Sequence, residues 1–450
     1  MFTEVTYQDM ERAEDKAGFI AEAVKRYRES ADFKKAIEAN AYFEGRNPAV
    51  MKRYLLKAEV ETETDERGRS RRRARTVRVP GNRLPSGFFR RVVMQQNQYL
   101  LSGGVMLKDP ESKERLGMGF DKALEQMGER ALVQGVCWGF FNCDHLEVMP
   151  AARGECSGFM PLYDEETGEI GAGAEFWQIG EGRDEQIRVF EKDGVTRLSV
   201  RNGAVMKKGR KVPYVRRVSR DGAGEMTESA GWEVLPVIPL YANNEKCSEL
   251  TPSVKQKIDA YDMILSDLGN NLERANDVYW VLNNFGGQMQ QALEVQEQMN
   301  RLKMVINQSD GGTGGASADV RTVEVPYKAR ETALMILRRE LYADAMALDM
   351  EALTGGSLTN VAIRAAMADL DLKTDGFEWQ CFLFVQKVLA MLGIRSEEIV
   401  FKRQSISNAH ETVQDIYLMR ADIDRRTALT LNPYIDQDVC ARLCGEEECR

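Results

Sequence analysis

Histidine is nearly absent from this 450-residue chain: His145 and His410 are the only two, and neither lies near cysteines or carboxylates at metal-ligand spacing. No Ser-His-Asp or Cys-His arrangement stands out, though such groups meet only in the fold. Long apolar runs are missing as well. No stretch of roughly 18 or more apolar residues occurs, so no membrane-spanning helix is expected. The opening MFTEVTYQDMERAEDKAG has neither an apolar core nor a small-residue cleavage site, so no secretory signal is expected and synthesis in the cytoplasm follows. Eight cysteines scattered over the chain fit reduced thiols better than a disulfide framework, and Cys440, Cys444 and Cys449 near the end are read as incidental rather than as a metal site. Basic residues are outnumbered, 61 against 70 acidic ones for a net charge of -9, which argues against a broad grip on nucleic-acid phosphates.

Two enzyme signatures fail on inspection. GGTGGAS at 311–317 has the glycines of a phosphate cradle but no Lys-Ser/Thr after it, and reads as a flexible linker. Asp371 and Lys373 in DLDLK resemble the Asp-x-Lys element of metal-dependent nucleases. Two positions apart on a helix, however, they diverge by about 200° instead of converging on a metal. No catalytic residue, metal or cofactor is expected.

What remains is a chain too long for one ordinary core. Residues 1 to 45 carry two helix-like segments, with Phe19, Ile20, Ala23, Val24 and Tyr27 spaced by three and four. From about 55 to 80 the chain is strongly polar and holds Arg67, Arg69, Arg71, Arg72, Arg73, Arg75 and Arg78. This reads as a solvated loop, or else as a patch for nucleic acid or an acidic partner. NRLPSGFFRRVVMQQNQYLLSGGVML and GFDKALEQMGERALVQGVCWGFF read as helices, the second reaching Cys143. Short β-prone runs between 145 and 240 follow, with Asp193-Gly194 as a hairpin turn. The first half is therefore α+β.

At Thr251-Pro252 a capped helix opens, with Val254, Ile258, Tyr261, Leu265, Leu268, Leu272 and Ala275 as its apolar face. An insertion of strand (VYWVLNN), helix (MQQALEVQEQMNRLKMV), linker and strand (VRTVEV) separates it from a second helix with Leu334, Leu337, Leu341, Ala345 and Leu348 on one face. A small uncharged loop follows, and then a run from Val361 to about Leu392 that Gly376 weakens by about 1 kcal/mol and could bend. EEIVFKRQ is a strand candidate, and two short helices are expected after residue 408.

The stretches YANNEKCSELTPSVKQKIDAYDMILSDLGNNLERANDVYWVLNNFGG and TGGSLTNVAIRAAMADLDLKTDGF resemble the siphovirus-like portal proteins, or head-to-tail connectors, of tailed bacteriophages. The resemblance rests on Asn243-Asn244, Asp259-Ala260-Tyr261-Asp262, Ser266-Asp267 and Asn270, and on Gly355 to Asn360 followed by Val361 to Lys373. YFEGRNPAVMKR and the NRLPSGFF segment are similar less specifically. The likeness spans roughly residues 40 to 425. The sequence departs from the family in its loop, which elsewhere more often has Ser-Gly before the helix, and in a very short C-terminal crown.

The resemblance implies an α+β portal fold with an α/β wing (1–250), a two-helix stem (251–277 and 329–350) and a small αβ clip (278–328). A tunnel loop (351–360), a long wing helix with a returning strand (361–405) and a short helical crown (406–450) complete it. It implies a ring of about twelve subunits at one head vertex, the passage for double-stranded DNA in packaging and ejection. Terminase motor, head-tail adaptor, major capsid and scaffolding proteins are its implied partners, with no membrane. The implied location is the virion, after assembly in the host cytoplasm. In that frame Thr354, Gly355, Gly356, Ser357, Leu358, Thr359 and Asn360 form a flexible, uncharged loop in the tunnel. Asp349, Glu351, Asp371 and Glu378 are candidates for an acidic lining, and Tyr279, Trp280 and Phe285 for clip contacts between subunits. The alternative is a DNA-binding assembly factor that uses the Arg67 to Arg78 cluster.

Overall fold

The computed structural model describes the backbone of residues 4–51, 56–64, 70–78, 81–142, 145–180, 182–219, 225–229, 232, 234–275, 279–283, 317–321, 327–351, 359–394, 398–404, 409–420 and 422–435. The chain divides into two compact units. One comprises Met1–Pro48, Ser86–Ile258 and Arg338–Arg450, the other Ala49–Pro85 and Asp259–Leu337.

Three helices, α1 (Tyr7–Arg12), α2 (Lys16–Glu29) and α3 (Ala31–Phe43), stand where two helix-like segments are expected. Side-chain caps explain the extra break. Thr6 and Asp9 form a reciprocal capping box, Asp15 accepts the Ala17 N–H, and Ser30, in extended backbone, accepts the Phe33 N–H. A short α4 (Pro48–Met51) follows.

The polar stretch from 55 to 80 contains a hairpin rather than an open loop. β1 (Leu56–Thr64) pairs antiparallel with β2 (Ser70–Arg78) in the second unit. The register sets Glu59 opposite Arg75, Glu61 opposite Arg73 and Glu63 opposite Arg71, and opposite charges directly across a ladder stabilise it. The backbone pairing is found where composition alone suggests solvation.

Beyond α5 (Phe88–Leu101), β3 (Val105–Leu107), α6 (Pro110–Arg115) and α7 (Phe120–Gln134), the helix expected to reach Cys143 stops early. Gly135 caps it at φ +89°, a conformation that favours glycine, and VCWGFF becomes β4 (Val136–Asn142), nearly all buried. A short all-apolar run fits a buried strand as well as a buried helix. β4 is the middle strand between β5 (His145–Pro150) and a later strand, β14 (Val237–Tyr241). β6 (Ala152–Gly154), β7 (Ser157–Tyr163), β8 (Ile170–Gln178), β9 (Glu185–Glu191), β10 (Gly194–Arg201) and β11 (Ala204–Lys207) form a six-stranded antiparallel meander. The Asp193-Gly194 turn joins β9 to β10 as expected.

The meander packs its apolar face on α2 and α3. Ile20, Tyr27 and Phe33 meet Met160, Phe176 and Ile187 in one core cluster, each large side chain contributing about 1.5–3 kcal/mol. A second cluster joins Trp138 and Phe140 of β4 to Phe159, Phe190, Tyr214 and Trp232.

A separate hairpin, β12 (Val215–Ser219) with β13 (Glu225–Ser229), precedes β14 (Val237–Tyr241). α8 (Pro252–Ala275) opens with Thr251 Oγ1 accepting the Val254 N–H. In the second unit β15 (Tyr279–Asn283) pairs with β16 (Ser317–Arg321), a strand that begins three residues before the expected VRTVEV; the helix expected between them lies outside the described residues. α9 (Tyr327–Asp344) and α10 (Asn360–Met391) come next. α10 is unbroken through Gly376 and about 48 Å long. β17 (Ile399–Phe401) pairs with β3, and α11 (Ala409–Met419) and α12 (Arg425–Leu431) follow.

Burial along α8 does not keep to its apolar stripe. Val254 and Ile258 are buried as expected, but Leu272 is 55% exposed, whereas Asp262 and Ser266 are fully buried. The extended segment before α5 accounts for this: its backbone donors need acceptors. Leu84 N–H donates to Ser266 Oγ at 3.1 Å and Asn82 N–H to Asn270 Oδ1 at 2.6 Å. Asp262, Ser266 and Asn270, spaced by four, thus form a polar stripe, and a Cβ on Gly269 would stand 3.3 Å from Asn82.

Candidate functional site

The candidate loop is held at both ends by groups of the first unit. On the entry side α9 buries Leu341, Tyr342 and Ala345, and Met346, at φ +48°, turns the chain out of the helix. Leu348 is then fixed by a single side chain: Gln95 Oε1 accepts its N–H at 3.0 Å and Gln95 Nε2 donates to its carbonyl at 3.1 Å. Asp349 accepts from Arg338 at 2.8 Å and from the Glu351 N–H at 3.1 Å, and Arg338 also pairs with Glu351.

Thr354, Gly355, Gly356, Ser357 and Leu358 lie outside the described residues. On the exit side Thr359 caps α10 by accepting the Ala362 N–H at 3.2 Å. Asn360 N–H donates to Glu411 at 2.5 Å, and Asn360 Nδ2 to Thr412 Oγ1 at 3.2 Å, which ties the start of α10 to α11. Leu348 from before the loop and Ile363, Met367 and Leu370 from after it share one apolar cluster, with Tyr99 against it. Leu348 and the first turns of α10 are therefore drawn together.

The candidate acids are paired. Asp371 accepts from Tyr99 Oη at 2.5 Å and lies 3.4 Å from Arg403 Nη1. Arg403 Nε donates to Glu378 at 2.8 Å, and its Nη2 pairs with Asp375 at 2.5 Å and with Glu378. Burial would lower the Arg403 guanidinium, but hydrogen bonds to Asp375 and Glu378 outweigh it and hold it above its ordinary value. Burial, then the hydrogen bond and charge of Asp371, push the Tyr99 phenol up to about 12. Three carboxylates face one arginine here, as two face Arg338 at the loop entry, so acid stays in excess on both flanks.

Lys373 faces elsewhere. Its Nζ lies 2.8 Å from Glu249 and donates to the Ala345 carbonyl at 3.0 Å, so Asp371 and Lys373 serve different partners, as the helical spacing requires. Asn243 supports this pair. It brackets Cys247, accepting its N–H at 3.1 Å and donating to its carbonyl at 3.0 Å, and reaches Glu249 at 3.2 Å. Asn244 accepts from Gln380 of α10 at 2.8 Å. At the joint between α8 and α9, Lys257 lies 2.5 Å from Asp344, which also accepts from Ser253.

The remaining candidates fall in the chain segments of the second unit. Arg71, Arg72, Arg73, Arg75 and Arg78 belong to β2, and Tyr279 and Trp280 to β15; Arg67, Arg69 and Phe285 lie outside the described residues. Among the described residues no group of three or more His, Cys, Asp or Glu is placed to hold a metal ion, and no helix is long and apolar enough to cross a membrane.

The family described as phage portal protein, SPP1 Gp6-like, matches residues 22–447. The chain belongs to this family. It is 27% identical over 237 residues to the portal protein of Bacillus phage SPP1, covering 49% of this chain and 45% of that protein. It is 23% identical over 209 residues to the portal protein of Clostridium phage phiCD119, covering 45% of this chain and 46% of that one. The chain thus spans about half the length of the curated relatives it matches. A solved structure described as the neck of an empty GTA particle, computed with C6 symmetry, aligns with a TM-score of 0.42 and 12% identity over 77% of this chain and 90% of its own.

In this portal-family chain the two sequence blocks meet in space through Glu249 and Lys373, and Asn244 of the first also meets Gln380, three residues beyond the second. Arg403, Arg338, Gln95 and Tyr99 escape sequence reasoning, since each acts on a partner far along the chain or across the loop with no local period to mark it. Asp262, Ser266 and Asn270, which carry part of the resemblance, stand at i, i+4 and i+8, the spacing that sets them on one helix face.

Proposed function

We propose that the chain is the non-enzymatic, ring-forming portal subunit of a tailed phage, about twelve copies encircling the passage for double-stranded DNA at one vertex of the head. The family match across residues 22–447 carries this reading. In it, the ring receives the terminase motor during packaging and the head-tail adaptor afterwards, is set among capsid and scaffolding proteins, and resides in the virion after assembly in the host cytoplasm. The span 351–360 projects into the passage. Its flanks support that role, because Leu348 is held by Gln95 and Thr359 caps α10 on either side of it. The acid excess around Arg403 and Arg338 suits a low-adhesion lining: each fixed cationic contact would add a counterion-release term that retains DNA.

The DNA-binding alternative weakens, because a glutamate stands opposite three of the β2 arginines. Light scattering on the purified chain, with negative-stain images of the same peak, tests the proposal. A closed ring of near 610 kDa, about twelve chains of 50.8 kDa, is expected. Monomers with tight, steeply salt-dependent retention of short duplex would favour the alternative. G355A/G356A is expected to assemble normally yet package or retain DNA poorly.

A further inference from the structure

The β1–β2 ribbon is a two-stranded sheet, and among the described residues no third strand borders either edge. A free strand edge is a template for another strand, and an isolated hairpin is marginal by itself. Charge is divided unequally between the two strands. β1 carries Glu59, Glu61 and Glu63 with one lysine, whereas β2 carries five arginines and no acid. Residues two apart share a face, so the register places Glu59, Glu61 and Glu63 on the same face as Arg75, Arg73 and Arg71.

We propose that ribbons of neighbouring copies pair edge to edge, β1 of one beside β2 of the next, so that the Glu-Arg ladder continues from subunit to subunit. The partner is a second copy of this chain. Pairing β1 with β1 would set acid against acid, and β2 with β2 arginine against arginine, both destabilising. Only the head-to-tail order joins unlike edges. Backbone hydrogen bonds supply the affinity and the charge order supplies the direction. Such a contact is heterologous and closes into a ring where the rotation permits, so the inference rests on the ring reading above.

The test exchanges the two charge sets. The variant E59R/E61R/E63R/R71E/R73E/R75E keeps every opposite-charge pair within its own hairpin and between its own copies, but it presents like charges to the wild-type ribbon. Differently tagged wild-type and exchanged chains are co-expressed, and their oligomers are resolved by native mass spectrometry at low salt. The expected result is that each assembles with itself and that mixed oligomers fall about tenfold below random mixing, recovering as salt rises. Wild-type rings that mix freely with exchanged chains would overturn the ribbon pairing and leave the ring reading intact. Wild-type chains that stay monomeric would overturn the ring reading itself. Should six changes prevent folding, the single-rung exchange E61R/R73E is read the same way, free mixing again counting against the pairing.

Discussion

Lys373 Nζ lies 2.8 Å from the Glu249 carboxylate, and the two side chains are only 10% and 12% exposed. The pair joins the middle of α10 to the segment entering α8. Removing one member strands a nearly buried charge, so K373M or E249Q is expected to destabilise by about 3–5 kcal/mol. K373M/E249L removes both charges and is expected to recover much of that loss. Denaturant unfolding of the four chains measures the coupling, and additive single effects would show that the pair is not what joins these elements.

Two glycines inside helices are expected to respond to alanine with opposite sign. At Gly376 in α10 an added Cβ meets nothing within 4 Å, so G376A should stabilise by about 1 kcal/mol. At Gly128 in α7 the same atom would come 2.4 Å from Asn97 Oδ1, 2.7 Å from Leu101 and 3.1 Å from Phe377. There α5 and α10 crowd the helix, and G128A should cost about 1–3 kcal/mol despite its better propensity. Thermal melts of both variants settle the signs.

That contrast marks what the sequence discloses and what it hides. The long α10 and the capped start of α8 follow from period and capping, and the β9–β10 hairpin from Asp193-Gly194, because each depends on neighbours in the chain. β1 and β2 are hidden because a Glu-rich run followed by an Arg-rich one looks like a solvated loop until the backbone register sets one against the other. β4 is hidden because VCWGFF has no period, and only Gly135 separates it from α7. Around the loop the acids could be named from sequence, but their arginines could not: Arg403 meets Asp371 across a turn, a strand and 32 residues.

Tyr99 supplies a pH signature. Its phenol is held up to about 12, by burial first and by Asp371 second. A raised phenol contributes stability that is fully present below the ordinary value near 10 and is lost as pH rises toward about 12. The tyrosinate absorbance of wild type minus that of Y99F should therefore show a midpoint near 12. D371N should move it down but not to its ordinary value, since burial remains. A midpoint at the ordinary value in wild type would mean that Tyr99 is not held against Asp371.

Thiol chemistry reports packing independently. Burial pushes Cys137 up to about 12 and Cys381 well above its ordinary value, and both are buried, whereas Cys156 and Cys247 are exposed. Alkylation of the native chain at pH 8 followed by peptide mass analysis should label Cys156 and Cys247 and spare Cys137 and Cys381 until denaturant is added. Early labelling of Cys381 would show that α10 does not pack as described.

Arg403 stands over three carboxylates of α10, Asp371, Asp375 and Glu378, at positions i, i+4 and i+7 on one helix face. Without the guanidinium these acids repel along the helix, and Asp371 keeps only its Tyr99 bond. R403A is expected to destabilise by about 1–3 kcal/mol, a range lowered for partial exposure, with a loss that shrinks as salt screens the acids. R403K keeps the charge but not the fork that spans Glu378 and Asp375 together, so it should recover less than half. D375N in the R403A background removes one repelling charge and should restore part of the stability. Salt-dependent denaturation of these chains separates the alternatives: a loss independent of salt and untouched by D375N would assign Arg403 a packing role alone.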